Sequence, residues 1–70
     1  MSRAGKGTIV VGIWQQDIDV ERLKSEVSGL RGVSEVRFDY FNRKLTINYD
    51  GTQNTLDRIN GKLTRLPRSE

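Results

Sequence analysis

The sequence predicts an α+β fold, a ferredoxin-like sandwich in which two helices cover one face of an antiparallel sheet. Two observations lead to this prediction. Two short segments alternate apolar and polar residues and a third is rich in β-branched residues, while two further segments repeat apolar residues at helical spacing. Their order along the chain is β-α-β-β-α. The ferredoxin-like arrangement closes with a fourth strand, which we expect to be short or missing here.

The first strand is predicted at residues 8–14, because their sequence, TIVVGIW, is rich in β-branched side chains. Alternation directs one set of side chains toward the helices, namely Ile9, Val11 and Ile13. A first helix follows, with an apolar stripe formed by Val20, Leu23, Val27 and Leu30. Asp17 or Asp19 is suited to cap its N-terminus, and Gly32 fits the position just past its C-terminus.

A hairpin is predicted next. Its first strand carries Val36, Phe38 and Tyr40 on one face, and its second strand carries Leu45, Ile47 and Tyr49. Asn42 is expected to take the left-handed conformation in the turn at 41–43. The second helix is predicted to begin near Asn54, to end at Pro67 and to bury Leu56, Ile59, Leu63 and Leu66.

We expect one domain at residues 8–67, between a flexible leader at 1–7 and a tail at 68–70. No apolar run has the length of a membrane span, so we expect a cytoplasmic protein that does not contact membranes. The chain contains neither cysteine nor histidine, which excludes a thiolate metal site and the commonest general base. We therefore expect a protein that is not an enzyme and uses no cofactor.

The segment LRGVSEVRFDYFNRKLTINYD resembles the heavy-metal-associated domain of copper chaperones and of the N-terminal regions of metal-transporting ATPases. The residues that carry the resemblance are Leu30, Gly32, Val33, Val36, Phe38, Lys44, Leu45, Ile47, Tyr49 and Asp50. The resemblance extends over residues 9–66. It implies the ferredoxin-like fold predicted above and an accessory role in metal transport.

That family binds metal through the motif Gly-Met-x-Cys-x-x-Cys in the first loop, of which this chain matches only the opening, at residues 12–13. Counting from the strand places Gln15 and Ile18 at the cysteine positions. Counting back from the helix places Gln16 and Asp19 there instead. Neither alternative supplies a thiolate, and neutral glutamine is a poor ligand for copper. The resemblance thus implies a cysteine-free relative that keeps the fold without the metal site.

Three carboxylates at alternate positions, Asp17, Asp19 and Glu21, are weak candidates for a cation site. Their oxygens suit a hard cation, but the spacing does not continue into a calcium-binding loop. Helix capping explains Asp19, and the positive end of the helix dipole explains Glu21. We favour this second interpretation, in which no metal is bound.

Partner binding is predicted at the end of the molecule where the first loop, the hairpin turn and the end of the second helix meet. This end gathers aromatic and arginine side chains, a composition that interfaces prefer. The candidates are Trp14, Gln15, Gln16, Phe41, Arg43, Lys44, Arg65 and Arg68. For Trp14 the alternative is a structural role, partly buried over the start of the first helix.

Arg58, Lys62 and Arg65 form a basic stripe opposite the leucines of the second helix, in a chain of net charge +3. They support an alternative function, nucleic-acid binding by a small basic protein. An ordinary solvated helix face explains the same pattern. No aromatic residue of the kind that RNA-binding sheets use is expected in the middle of a strand on the open face.

Without a fourth strand, the first strand is an unpaired apolar edge centred on Ile9, Val10 and Val11. Unprotected edges pair with other chains. We therefore predict a non-catalytic interaction module that pairs with a second copy of itself as a homodimer, or accepts a strand from a partner protein. The alternative within one molecule is that the leader or the tail folds back over the edge.

Overall fold

The computed structural model describes residues 7–68, so that positions 1–6 of the predicted leader and 69–70 of the tail lie outside it. Its elements are β1 (Gly7–Gly12), α1 (Val20–Ser28), β2 (Val33–Asp39), β3 (Lys44–Tyr49) and α2 (Gln53–Thr64). The strands form one antiparallel sheet in the order β1-β3-β2. The predicted α+β fold is confirmed, and its β-α-β-β-α order matches a ferredoxin-like fold without the fourth strand.

The hydrophobic core lies between the sheet and the two helices. Its buried residues are Ile13, Ile18, Leu23, Val27, Leu45, Ile47 and Ile59. On β1 the predicted alternation holds, because Ile9 and Val11 are half-buried against this core while Val10 is 59% exposed. Complete burial of one aliphatic side chain stabilises a fold by about 1.5–3 kcal/mol. No helix within residues 7–68 is long and apolar enough to cross a membrane.

The N-terminus of α1 is capped by Asp19 rather than by Asp17. The Asp19 carboxylate accepts the backbone N–H of Arg22 at 3.1 Å. The C-terminus differs from the prediction, because the helix is capped by Gly29 in a right-handed conformation. Gly32 takes a φ of +97° in the following turn instead, where a side chain would lie 2.8 Å from Asp50 Oδ2.

In the hairpin, the left-handed residue is Arg43, with a φ of 58°, and the expectation for Asn42 was wrong. The Asp39 carboxylate accepts the backbone N–H groups of Phe41 and Asn42 at 2.9 and 3.2 Å, and the Asn42 side-chain amide at 2.8 Å. These bonds hold Asn42 inside the turn, so the chain reverses one residue later. Tyr40 lies outside β2 and is 55% exposed, because the turn has already begun there.

Three predicted element ends also need correction. The first strand ends at Gly12 instead of residue 14, although the Ile13 N–H still donates to the Arg43 carbonyl at 2.8 Å. Helix α2 begins at Gln53, one residue before Asn54, because its N-cap is Thr52, whose hydroxyl accepts the Thr55 N–H. It ends at Thr64, before Pro67, because the chain turns there to lie beside the first loop.

We expect Gly32→Ala to lower the free energy of unfolding by about 2–4 kcal/mol, since it combines left-handed backbone strain with a clash against Asp50 and the buried Thr55. Gly61→Ala is the matched control. Gly61 lies inside α2, where an added Cβ would meet no atom within 4 Å apart from its own stretch of helix backbone, and the substitution should raise the stability by about 0.5–1 kcal/mol. Chemical denaturation measures both. Equal effects of the two substitutions would contradict the assigned turn.

Candidate functional site

One end of the molecule, which we call the loop end, is formed by residues 13–19, the hairpin turn at 40–43 and the C-terminal segment at 65–68. Two contacts join the C-terminal segment to the first loop. The Asp19 N–H donates to the Pro67 carbonyl at 2.9 Å, and Arg68 Nη1 lies 3.1 Å from Asp17 Oδ2. Arg43 of the hairpin turn also bonds to the first loop, so the structure brings together the three segments that the sequence predicted to meet.

Arg43 holds the first loop in place. Its Nε donates to the Ile13 carbonyl at 3.1 Å and its Nη2 to the Gln15 carbonyl at 2.7 Å. The guanidinium carbon lies 5.4 Å from the centre of the Phe38 ring, within the range of a cation–π interaction. The half-buried Arg43 was predicted as a partner-binding residue. In this structure its Nε and Nη2 groups already donate hydrogen bonds to the loop.

The other predicted partner-binding residues are exposed. Phe41 is 93% exposed and Trp14 is 69% exposed, so Trp14 is not buried over the start of the helix. The remainder of the exposed set is Gln15, Gln16, Lys44, Arg65 and Arg68. The Trp14 indole lies over Gly12, because a side chain at Gly12 would approach Trp14 Nε1 to 2.9 Å. Trp14 therefore covers the end of β1 on the helix-free face of the sheet.

Each carboxylate of the weak metal candidates has its own partner. Asp17 pairs with Arg68 and Asp19 caps α1, as described above. Glu21 accepts the Tyr40 hydroxyl, and the Lys24 ammonium lies 3.5 Å away. The Tyr40 bond, followed by Lys24, lowers the pKa of Glu21, and the same bond raises the pKa of Tyr40. Residues 7–68 contain no group of three or more acidic side chains positioned to hold a metal ion.

The outer edge of β1 carries backbone groups that β3 does not use. The Ile13 N–H points toward β3, and antiparallel pairing alternates, so Ile9 and Val11 also direct their backbone groups to β3. The N–H and C=O groups that point away belong to Thr8, Val10 and Gly12. Among residues 7–68 no strand lies on that side, since the C-terminal segment bridges only at Ile18, beyond the strand.

The two edges of the sheet differ in chemistry. The edge strand β2 carries the charged residues Glu35, Arg37 and Asp39, and its register is irregular between Val33 and Glu35. Charges and bulges are the features that protect sheet edges from pairing with other chains. Strand β1, with the sequence GTIVVG, has no charge, no proline and a regular register. The unprotected edge is therefore the one at β1.

The predicted basic stripe lies beside an open groove of about 620 Å³ between the two helices. Arg58, Lys62 and Arg65 line one side of this groove, and Leu30 and Glu26 belong to the other. None of the three cations forms an ion pair with a side chain of residues 7–68. Glu26 is already paired, because its carboxylate lies 3.1 Å from Arg22 Nε.

Sequence reasoning missed the pairing of Trp14 with Gly12 and the contact of Tyr40 with Glu21. For the first pair a signal was present. A glycine in a strand exposes backbone, and an aromatic residue two positions later lies on the same face and can cover it. For Tyr40 and Glu21 no local signal exists, because 19 residues separate the two side chains.

The Arg43 contacts predict an order of stability among three proteins. Arg43→Ala loses both loop bonds and keeps the left-handed strain, whereas Arg43→Gly loses the bonds but relieves the strain. Hydrogen bonds from charged donors contribute about 1.5–3 kcal/mol each, and relief of strain about 1 kcal/mol. Thermal unfolding should rank the wild type above Arg43→Gly and Arg43→Gly above Arg43→Ala. A glycine variant more stable than the wild type would contradict the assigned role of Arg43.

Comparison with known proteins gave no relative. No family model matches the chain, no curated protein matches it, and no solved structure matches its fold. The likeness to heavy-metal-associated domains accordingly rests on the residues quoted from the sequence.

Proposed function

We propose that the protein is a non-catalytic interaction module, a cysteine-free relative of heavy-metal-associated domains that binds by accepting a strand at the β1 edge. The observation that carries the proposal is the row of outward backbone groups on Thr8, Val10 and Gly12, next to which residues 7–68 place no strand. In strand addition these groups provide affinity, and pockets for alternate side chains provide specificity. The sequence of β1 has the uncharged, β-branched character that such pairing needs.

The loop end extends this surface. Trp14 lies over Gly12, the last residue of β1, so the exposed indole adjoins the open edge of the strand. Tryptophan is enriched among the residues that contribute most to binding. An added strand would contact Val10 along the edge and Trp14 at its end. We therefore treat the edge and Trp14 as one binding surface.

An accessory role in metal transport is part of the proposal, and its support is the resemblance of residues 30–50 to that family. A cytoplasmic location, which was expected from the sequence, is also part of the proposal. Neither point bears on how the β1 edge binds.

A display library of random eight-residue peptides tests the proposal. The wild type should enrich peptides with alternating β-branched residues, and Val10→Pro should weaken their binding by about tenfold or more, because it removes an outward donor that β3 does not use. Val10→Lys is the second blocking variant. Thr46→Lys, which adds the same charge directly opposite Val10 on the central strand, is the matched control and should retain binding.

Circular dichroism establishes that each variant is folded before it is compared. Peptides that bind the wild type and both Val10 variants equally would contradict docking at this edge. So would the absence of any enriched peptide from a chain that sedimentation shows to be monomeric.

Nucleic-acid binding is the second candidate, and the observation that favours it is the groove lined by Arg58, Lys62 and Arg65. It predicts that a labelled single-stranded oligonucleotide binds at low salt and is released as salt rises, since phosphate contacts displace counterions. Lys62→Glu should weaken this binding, whereas Lys44→Glu, the same charge change outside the groove, should weaken it less. No binding at low ionic strength would eliminate this function.

A further inference from the structure

We infer that the occupant of the β1 edge is a second copy of this chain, paired antiparallel about a two-fold axis that passes beside Val10. The inference rests on the proposed docking edge and names its partner. It gives a continuous six-stranded sheet in the order β2-β3-β1-β1-β3-β2, with the helices of both copies on one face.

The register follows from which backbone groups point outward. In an antiparallel pair, residues that face each other across the seam exchange two N–H···O bonds when both point toward it. A two-fold axis at Val10 pairs Val10 with Val10 and Thr8 with Gly12, so every outward residue of β1 has a bonded counterpart. Moving the axis to Ile9 or Val11 leaves one of these residues opposite a position outside β1. The register centred on Val10 is therefore the one in which all the outward residues of β1 form bonds across the seam.

The side chains of the two copies fit this register. On the helix-free face, Val10 meets the second copy's Val10, and this side chain is 59% exposed in the single chain. On the helix face, Ile9 of each copy lies opposite the second copy's Val11. Both residues are only half-buried in the single chain. Apolar cross-strand pairs stabilise a sheet by about 0.2–1 kcal/mol each. No charge lies on β1, so none is buried at the seam.

Trp14 reports on this contact. Thr8 lies opposite the second copy's Gly12, and the Trp14 indole of that copy lies next to this glycine. Dimer formation therefore brings Thr8 against an indole that is 69% exposed in the single chain. Trp14 is the only tryptophan of the sequence, so its fluorescence should shift to the blue as protein concentration rises.

The dependence on salt concentration distinguishes the association of this dimer from nucleic-acid binding. Each copy has a net charge of +3, so two copies repel each other and added salt should strengthen their association by screening. Phosphate contacts have the opposite dependence. Two six-residue strands form a small interface by the standards of permanent dimers, so we expect dimerisation that depends on concentration.

Because the chain has no cysteine, disulfide crosslinking tests the register directly. In the proposed register the two Cα atoms at position 10 are about 5.5 Å apart, within the range of about 4.4–6.8 Å that a disulfide spans. Val10→Cys should therefore form covalent dimers under mild oxidation. Thr8→Cys is the matched control, because its two Cα atoms would be about 14 Å apart along the paired strands. Wild-type sedimentation and Trp14 fluorescence over a concentration series accompany the crosslinking.

The inference is supported if position 10 crosslinks and position 8 does not, and if the wild-type dimer and the blue shift of Trp14 increase together as protein concentration rises. A wild type that stays monomeric at millimolar concentration, with Val10→Cys uncrosslinked, overturns it. The peptide library then still decides whether the edge binds another partner. A dimer in which position 8 crosslinks as readily as position 10 also overturns the inference, because it requires a different register or surface.

Discussion

The pairing of the central strand β3 with β1 on one side and β2 on the other is the interaction on which the rest of the structure depends. Leu45 and Ile47 of β3 are fully buried, and they lie in the same core cluster as buried residues from both helices. Because β3 takes one row of backbone groups from each neighbour, it also determines which groups remain at the two edges. The open edge on which the proposed function depends is therefore a consequence of the sheet order.

The two edges of a three-stranded sheet are not equivalent here. Strand β2 carries charges and an irregular register, whereas β1 is uncharged and regular. Residues 65–68, which follow α2, return as far as the first loop, where the Pro67 carbonyl accepts a bond from the Asp19 N–H and Arg68 pairs with Asp17. Together with the Arg43 bonds, these contacts fix the loop end while leaving the neighbouring edge of β1 accessible within residues 7–68. A rigid end beside an open edge is suited to binding, because little has to be ordered when the partner arrives.

Much of the fold was predictable from the sequence because it depends on side-chain periodicity. The alternation in β3 and the stripe of Leu23 and Val27 in α1 depend only on which residues are apolar. The turns were predicted less well. Asn42 has the higher intrinsic tolerance of the left-handed conformation, yet Arg43 adopts it, because Asp39 binds Asn42 and the first loop binds Arg43. Tertiary contacts of this kind override local preference, and no local pattern reveals them.

For the candidate site, the sequence predicted the apolar edge and the residues that gather at the loop end. It could not predict how their polar groups are used. The guanidinium of Arg43 and the carboxylate of Asp17 face partners that are 28 or more residues away along the chain. Which backbone groups of β1 point outward depends also on the sheet order, because the row that faces β3 is set by the side of β1 on which that strand lies.

Hydrogen exchange of the β1 amides, measured by NMR at a concentration where sedimentation shows a monomer, tests the central claim most directly. The account predicts that the amides of Thr8, Val10 and Gly12 exchange rapidly, while those of Ile9, Val11 and Ile13 are protected by β3. Equal protection of both rows in the monomer would mean that the chain covers its own edge, and would contradict the account.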